Sequence, residues 1–316
     1  MELYYPYSKY LKEKYGEKVY KLPINVPGTC PNRDGLLSED GCSYCADVGA
    51  GFESLDNSLS VVEQIEQNRE YIGKRYGAKK FIPYFQNYSG TYMEPEKFEE
   101  LIESAILPDM VGINISTRPD CISKEIVDIL CGLFDKYGVG FCIELGLQTA
   151  NYHTLKKVNR GHDLSQFVDA VLRLKNAKIS VSAHVIIDLP YDDIDDVIQT
   201  SRLLSALKVD GVKMHSLYIA KESAFEKLYN GGKLSLLSEK EYIQRAVVFL
   251  ENLSPEIYVE RLLGRVPEKD SITANFNRSW WAVRDDILQK MEDEKSYQGS
   301  KFDYLGGSAV TVKYGE

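Results

Sequence analysis

The stretch GTCPNRDGLLSEDGCSYCADVGAG, residues 28–51, governs how the rest of the sequence is interpreted, because it holds three cysteines within sixteen positions. Cys30 is followed by eleven residues and Cys42, and then by two residues and Cys45. A structural zinc site needs four ligands, usually as two close pairs, and no second Cys-x-x-Cys or histidine partner follows Cys45. Three thiolates suit a four-iron cluster, because they leave one iron open for a substrate or cofactor. The loop therefore predicts an iron–sulfur site with Cys30, Cys42 and Cys45 as metal ligands.

The remaining three cysteines, Cys121, Cys131 and Cys142, stand alone inside predicted helices or a strand. A buried cysteine most often behaves as a small hydrophobic residue, so we expect these three to be structural. Six cysteines in 316 residues are also too few for a disulfide scaffold, and a reducing compartment would leave them free for metal or redox chemistry.

Length and composition predict a globular protein with a large core, since 44% of the 316 residues are hydrophobic. No run of eighteen apolar residues occurs, and the tyrosine-rich, charged start lacks an apolar signal core. We therefore expect a soluble, cytoplasmic protein without a membrane partner. The net charge of −9 argues against a surface that coats nucleic acid indiscriminately, although local patches can still be basic.

Apolar, β-branched stretches alternate with helical patterns along most of the chain. The predicted strands are 19–26, 81–87, 110–116, 140–148, 179–189 and 211–219. The predicted helices between them are 55–77, 95–106, 123–137, 151–175 and 193–207. This order predicts an α/β fold, a partial (β/α)6 TIM-type barrel with its site at the carboxyl ends of the strands. We assign residues 1–220 to this barrel, with the cysteine loop at 28–51.

Residues 221–316 are interpreted as a C-terminal extension that caps the same domain. Its predicted elements are helices at 222–230, 238–252 and 279–294 and a short strand at 256–262. The tail SYQGSKFDYLGGSAV is expected to be loosely structured.

The cysteine loop, which follows a first strand and opens the αβ series, resembles that of the radical S-adenosylmethionine (SAM) enzymes, in the branch related to the elongator catalytic subunit. The blocks CPNRDG, YFQNYSGTY, STRPDCI, IELGLQT, NRGHD, HVIIDLP and KMHSLYIAK are similar, in order, to those of the YtqA/YhcC-type, MnmL-like tRNA-modifying proteins. The resemblance implies a [4Fe–4S] cluster, S-adenosylmethionine, and a 5′-deoxyadenosyl radical that abstracts a hydrogen from the substrate. It further implies a tRNA substrate, whose wobble uridine is cut from carboxymethylaminomethyl to aminomethyl, and a flavodoxin- or ferredoxin-type electron donor.

The resemblance also implies cofactor-binding residues near the strand ends. Gln86, Asn87 and Ser89 stand where the superfamily holds the methionine amino group, although polar residues there can merely cap a turn. Glu144 and Gln148 lie four residues apart on one strand and so share a face, where ribose hydroxyls or the methionine ammonium could pair with them. The alternative is an internal salt bridge from Glu144 to a lysine or arginine.

Four further residues are assigned to cofactor binding on the same blocks. Tyr44 could pack over the cofactor, or simply pack in its loop. Arg160 could grip a carboxylate with two hydrogen bonds, or cap a helix. His184 lies in an apolar strand, where a lone histidine is more often a core residue, and Lys221 is expected at the catalytic edge after the sixth strand.

Three segments combine aromatic and cationic residues in the way that single-stranded RNA binding requires, although solvated faces have the same composition. They are the N-terminal tyrosines and lysines (Tyr4, Tyr5, Tyr7, Tyr10 and Tyr15 with Lys9, Lys12, Lys14, Lys18 and Lys21), the run Lys74, Arg75, Lys79 and Lys80, and the pair Trp280 and Trp281 beside Arg278 and Arg284. Two other functions stay open: a radical enzyme acting on a small metabolite, and a noncatalytic iron–sulfur or RNA-binding protein.

Overall fold

The computed structural model describes residues 2–45, 54–264 and 271–315. Its strands are β1 (Val19–Ile24), β2 (Lys80–Phe85), β3 (Gly112–Thr117), β4 (Gly140–Gln148), β5 (Ser180–Ile186), β6 (Gly211–His215), β7 (Ile219–Ala220), β8 (Tyr258–Arg261) and β9 (Ser271–Thr273). Its helices are α1 (Tyr7–Tyr15), α2 (Val61–Tyr76), α3 (Pro95–Ser104), α4 (Lys124–Tyr137), α5 (Tyr152–Lys157), α6 (Leu164–Asn176), α7 (Ile194–Ala206), α8 (Ala224–Asn230), α9 (Glu239–Asn252), α10 (Trp280–Asp293) and α11 (Ser308–Tyr314). Among these helices, none is both long enough and apolar enough to cross a membrane.

A curled, parallel sheet forms the body of the protein. Strands β1 to β6 lie side by side in chain order, and β8 follows β6 as the seventh strand. Each crossover between neighbouring parallel strands carries at least one helix, as the partial barrel predicted from the sequence requires. The predicted strand at 256–262 is thus β8, and the C-terminal extension contributes a strand to the barrel sheet itself.

Strand β4 explains how the sequence builds two different faces. Ile143, Leu145 and Leu147 are fully buried in the apolar core that packs against the helices. The alternate residues point into the barrel, so Glu144 and Gln148 do share a face. The predicted bounds of this strand, 140–148, agree with the structure.

Three predicted elements are wrong in their extent by four residues or more. The helix expected at 55–77 begins only at Val61, because Ser60 caps it reciprocally with Glu63. The single helix expected at 151–175 is divided into α5 and α6, because Asn159 and Gly161 have positive φ (51° and 79°) and Asp163 caps α6 reciprocally with Gln166. The sixth strand ends at His215 rather than at residue 219. After it the chain turns away from the sheet, and Ile219–Ala220 pair with β9 in a separate two-stranded sheet.

The chain termini cover the side of the barrel between its two edge strands. Helix α1 contacts both β1 and β8, and the backbone N–H of Val259 donates to the carbonyl of Tyr5 (2.8 Å). The tail predicted to be loose is anchored at Gln298, whose side chain donates to the carbonyls of Ser254 (2.7 Å) and Ile257 (2.8 Å). The same side chain accepts the N–H of Tyr5 (2.9 Å), so it joins the two ends of the chain.

The packing of β6 against β8 predicts the effect of one methyl group. A Cβ at Gly211 would lie 2.0 Å from the buried ring of Tyr258, so Gly211→Ala should lower the free energy of unfolding by about 1–3 kcal/mol. A Cβ at Gly132, inside α4, meets nothing within 4 Å, so Gly132→Ala should stabilise the protein by up to about 1 kcal/mol. Thermal melting of both variants checks the pair, and equal melting temperatures would contradict the packing described here.

Candidate active site

A cavity of about 210 Å³ opens at the carboxyl ends of the strands. The cysteine loop forms one wall, and side chains from the ends of β2 to β6 and from β8 form the others. The described cavity-lining residues that the site depends on are Cys30, Asn32, Cys42, Tyr44, Cys45, Tyr84, Gln86, Ser89, Arg118, Gln148, Arg160, His184, Lys213, His215 and Arg261. The position agrees with the site predicted for a parallel αβ barrel.

All three predicted metal ligands line this cavity. Backbone hydrogen bonds shape their loop, with the N–H of Cys45 donating to the carbonyl of Cys42 (2.9 Å) and the N–H of Ser43 to the carbonyl of Val158 (2.9 Å). Residues 46–51, the last part of the predicted loop, lie outside the described residues. Within the described part of the chain, no three His, Cys, Asp or Glu side chains converge as the ligands of a single metal ion do. A cubane cluster spaces its thiolate ligands more widely than one ion does, so the donor set fits a cluster.

Two arginines donate toward the cysteine sulfurs. Arg160 places Nη1 3.5 Å from the Sγ of Cys42, and Arg118 places Nη1 3.9 Å from the Sγ of Cys30. Both guanidiniums are buried, and each is held in place by a carbonyl, that of Gly146 for Arg160 (3.0 Å) and that of Arg160 for Arg118 (2.8 Å). Positive charge beside the sulfurs stabilises thiolates and the anionic cluster that they hold.

The pKa values of two cysteines reflect this arrangement. Burial alone would raise the pKa of Cys42, but the neighbouring guanidiniums of Arg160 and Arg118 outweigh burial and lower it. Burial, together with the thiolate of Cys42, raises the pKa of Cys45 to about 11. Of these two thiols, Cys42 is therefore the one already prepared to act as a thiolate ligand.

Two glycines leave the space that Arg160 and Asn32 occupy beside the cysteine loop. A Cβ at Gly146 would lie 2.6 Å from Nη2 of Arg160, and a Cβ at Gly161 would lie 2.5 Å from Oδ1 of Asn32. Asn32 in turn donates to the Sγ of Cys42 (3.5 Å) and to the carbonyl of Asn159 (2.5 Å). The break between α5 and α6 thus supplies the scaffold of the cysteine loop.

The predicted cofactor residues divide into two groups. Six of them line the cavity: Tyr44, Gln86, Ser89, Gln148, Arg160 and His184. Three do not: Asn87, Glu144 and Lys221. Asn87 is buried and donates to Oδ1 of Asn25 beneath the rim. Lys221 is exposed and follows β7, because the sixth strand ends at His215, four residues before its predicted end.

Glu144 takes part in the internal salt bridge that the sequence left open as an alternative. The fully buried carboxylate accepts from Lys21 (2.5 Å) and Asn114 (2.8 Å) at Oε1, and from His184 (2.8 Å) and Lys213 (2.9 Å) at Oε2. These four donors occupy its lone-pair directions, so no acceptor position remains for a cofactor. Burial would raise its pKa, but Lys21 and Lys213 hold that pKa well below the usual value.

A second carboxylate completes this arrangement. Glu260 on β8 contacts Lys21 at 2.5 Å and Lys213 at 3.9 Å. We call Lys21, Glu144, Lys213 and Glu260 the interior ion-pair network. It fills the barrel below the cavity, and Lys21 was therefore misassigned to the surface cations of the N-terminal segment.

Sequence reasoning missed Asn32, Arg118, Glu260 and Arg261. Arg118 directly follows β3 in the block STRPDCI, just as Gln86 directly follows β2. A polar residue at the carboxyl end of a parallel strand was therefore a usable signal that Arg118 faces the site. Glu260 and Arg261 lie in a strand that was assigned to the extension. Nothing in the local sequence indicated that they would face the barrel interior.

The first two segments proposed for RNA binding lie at the wrong end of the barrel to flank the cavity. Tyr10, Lys14 and Tyr15 of α1 lie beside Gly112 and Gly140, the residues at which β3 and β4 begin. The run at 74–80 likewise precedes β2. Strand beginnings and strand ends lie at opposite edges of a parallel sheet, so both segments are remote from the cysteines.

A different aromatic and cationic surface lies at the same end of the sheet as the cavity, next to the cysteine loop. Helix α5 begins just after β4, and Lys157 lies over the ring of Tyr191 (4.8 Å) while Lys156 lies over that of Tyr152 (5.7 Å). Both lysines are exposed, and the carbonyl of Val158, the residue after this helix, accepts from the cysteine loop. We call Tyr152, Lys156, Lys157 and Tyr191 the rim surface.

Comparison with known proteins finds similarity along most of the chain. The profile of the Radical SAM superfamily matches residues 24–204, and that of the Radical_SAM C-terminal domain matches residues 209–293. YtqA of Bacillus subtilis (strain 168) is 34% identical over 303 residues, covering 96% of this chain and 94% of its own. YhcC of Escherichia coli (strain K12) is 31% identical and covers 80% of each chain. The archaeal Elp3 of Methanocaldococcus infernus, with an N-terminal deletion, has the same fold (TM-score 0.66, 17% identity), covering 94% of this chain and 68% of its own.

The approach of Arg160 to the cysteine loop yields a prediction with a control on the same strand. Gly146→Ala places a methyl group against Arg160 and Gln148, whose flexible ends can move away, so Arg160 should retreat from Cys42 while the fold persists. We expect lower iron content after anaerobic reconstitution and faster loss of iron to a chelator. Gly140→Ala meets nothing within 4 Å and should retain parental iron. Parental iron retention by both variants would show that Arg160 does not support the cluster.

Proposed function

Since the chain belongs to the radical SAM superfamily, we propose that it acts on tRNA, cutting the carboxymethylaminomethyl group of a wobble uridine back to aminomethyl. The observation that carries this proposal is one cavity with three cysteine side chains at one wall and further polar side chains on the wall formed by β5, β6 and β8. The superfamily supplies the enzyme class and its cofactors, a [4Fe–4S] cluster and S-adenosylmethionine. The tRNA substrate rests on the likeness of the sequence blocks to the tRNA-modifying branch.

The cysteines are the residues that would hold the cluster, with Arg118 and Arg160 donating toward their sulfurs. When bound and reduced by a flavodoxin- or ferredoxin-type donor, the cluster supplies the electron that cleaves S-adenosylmethionine and so produces the radical that takes hydrogen from the substrate. Three thiolates rather than four leave a coordination position for that cofactor.

Several side chains of the cavity are placed to bind and orient S-adenosylmethionine. Gln86 and Ser89 follow β2 and Gln148 ends β4, so their amide and hydroxyl groups reach the cavity beside the cysteine wall. We propose that these three side chains bind the methionine end of the cofactor. Tyr44 and His184 are proposed to pack along it, and the buried walls exclude water that would quench a radical.

The substrate hydrogen is proposed to come from the methylene between the amine nitrogen and the carboxylate of the modified side chain. A one-electron acceptor must then oxidise this carbon radical to the iminium, and addition of water releases the aminomethyl group and glyoxylate, so that the carbon–nitrogen bond breaks by hydrolysis. The wobble base must leave the anticodon stack to reach this depth, as bases do in other enzymes that modify them. The rim surface, with two tyrosines and two lysines at the same end of the barrel as the cavity, suits an unstacked loop and its phosphates.

The enzyme and substrate proposals are tested together by nucleoside analysis. Anaerobically reconstituted protein should bind about four irons per chain and, with a reductant and S-adenosylmethionine, convert carboxymethylaminomethyluridine in tRNA to aminomethyluridine. Changing Cys30, Cys42 and Cys45 together to alanine should abolish both iron binding and conversion. Cys131→Ala, on the outer helix α4, is the control and should retain both.

Two results would contradict these proposals separately. Tight binding of zinc without iron would contradict the cluster. Cofactor cleavage that is stimulated by a small metabolite, with tRNA left unchanged, would contradict the substrate and favour the metabolite enzyme.

The rim surface predicts where tRNA binds. Reversing the charge of Lys156 and Lys157 together should lower tRNA affinity by about tenfold, because an acidic protein holds RNA through a local patch. The slope of log affinity against log salt concentration should also become shallower, by the amount expected for the loss of about two phosphate contacts. Reversing Lys12 and Lys14, on α1 at the other end of the barrel, should leave affinity unchanged. Filter binding across a salt series checks both. Loss of affinity only in the α1 variant would place the RNA at the opposite end.

A further inference from the structure

The wall of the cavity formed by β5, β6 and β8 contains a guanidinium that the proposed cluster and cofactor contacts do not use. Arg261 lies on β8, three places along the sheet from β4, whose Gly146 carbonyl holds Arg160. It lines the same cavity as the cysteines. Its Nη2 contacts the ring nitrogens of His215 (3.0 and 3.1 Å), and its Nε is buried without a hydrogen-bond partner among the described residues.

The charges around Arg261 are otherwise balanced. In the interior ion-pair network, two lysines face two glutamates, and Ser182 donates to the remaining oxygen of Glu260 (3.0 Å). Over residues 2–45, 54–264 and 271–315, no carboxylate lies within ion-pairing distance of Arg261. Within the described part of the chain, Arg261 is therefore a positive charge in excess at this wall.

The two histidines beside it do not supply a counter-charge. Burial, together with Arg261, lowers the pKa of His215 well below its usual value, and burial with Lys213 lowers the pKa of His184. Both rings are consequently neutral at physiological pH. A partly buried guanidinium with a donor to spare, and neutral neighbours, is suited to bind an anion with two parallel hydrogen bonds.

The cofactor's own carboxylate is not the anion that fits this position. Its methionine end must reach the open iron beside the cysteine wall, on the side of β2 to β4. Arg261 lies on β8, beyond β5 and β6 and three strands from β4, so it is separated from the cysteine wall by the width of the cavity. The anion belonging here is therefore one carried by the substrate.

We propose that Arg261 is a specificity residue that binds the carboxylate of the substrate side chain. This inference rests on the proposed function, in which the substrate ends in a carboxylate and the product, an amine, does not. Two hydrogen bonds from one guanidinium would fix the carboxylate and so orient the adjacent methylene toward the cofactor. Loss of the carboxylate would then release the product from this wall.

The test compares two RNAs that differ only at this group. Anticodon stem-loops carrying carboxymethylaminomethyluridine or aminomethyluridine are titrated against the reconstituted protein, and the ratio of their dissociation constants is measured. The parent should prefer the carboxylate-bearing RNA by at least about tenfold, the range of a charge-assisted hydrogen bond. Arg261→Gln should reduce this ratio to near one by lowering the affinity for the carboxylate-bearing RNA alone. Arg261→Lys keeps the charge but cannot donate two parallel hydrogen bonds, so it should give an intermediate ratio.

Controls separate this inference from the proposed function. Iron content and melting temperature establish that each variant is folded and loaded, and Arg75→Gln, on α2 at the other end of the barrel, should keep the parental ratio. If Arg261→Gln keeps the parental preference, the inference is wrong while the proposed function stands. If the parent neither distinguishes the two RNAs nor converts one to the other, the proposed function itself fails.

Discussion

The fully buried carboxylate of Glu144 is the constraint on which the barrel interior depends. An unpaired carboxylate there would cost several kcal/mol, and removing one partner of such a group is strongly destabilising. Four donors from four different strands meet it: Lys21 from β1, Asn114 from β3, His184 from β5 and Lys213 from β6. Lys21 also reaches Glu260 on β8, so charge joins the two edge strands that no backbone ladder connects. The network thereby fixes the curl of the sheet and the floor of the cavity.

Above this floor, the site is assembled by the chain's irregular segments. The break between α5 and α6 brings Arg160 to Cys42 and lets Asn159 donate to the carbonyl of Gly41 (2.7 Å). Gly146 supplies the space that Arg160 needs. A regular helix over 151–175 would have removed these contacts, so the interruption that weakens the helix is what positions the cysteine loop.

Local signals in the sequence were sufficient for the alternating elements and for the placement of three cysteines at one cavity. The apolar alternation of β4 indicated its bounds, and the spacing of Cys30, Cys42 and Cys45 predicted three ligands that the structure brings to one cavity, while their binding of a cluster stays a prediction. Ion pairs between distant residues could not be predicted in the same way. Lys21 and Glu260 are 239 residues apart, and only the register of the sheet brings them together. The role of Glu144 depended on that pairing, so the sequence could offer a cofactor contact and a salt bridge without deciding between them. The first two RNA segments were misplaced for the same reason, since composition does not say at which end of a strand a helix lies.

The central claim is that the radical removes a hydrogen from the methylene between the amine nitrogen and the carboxylate of the modified wobble uridine. The most direct measurement uses tRNA deuterated only at that methylene, followed by mass spectrometry of the 5′-deoxyadenosine formed. The account predicts deuterium in 5′-deoxyadenosine, in proportion to the aminomethyluridine produced. Unlabelled 5′-deoxyadenosine, formed while the deuterated side chain remains intact, would contradict it.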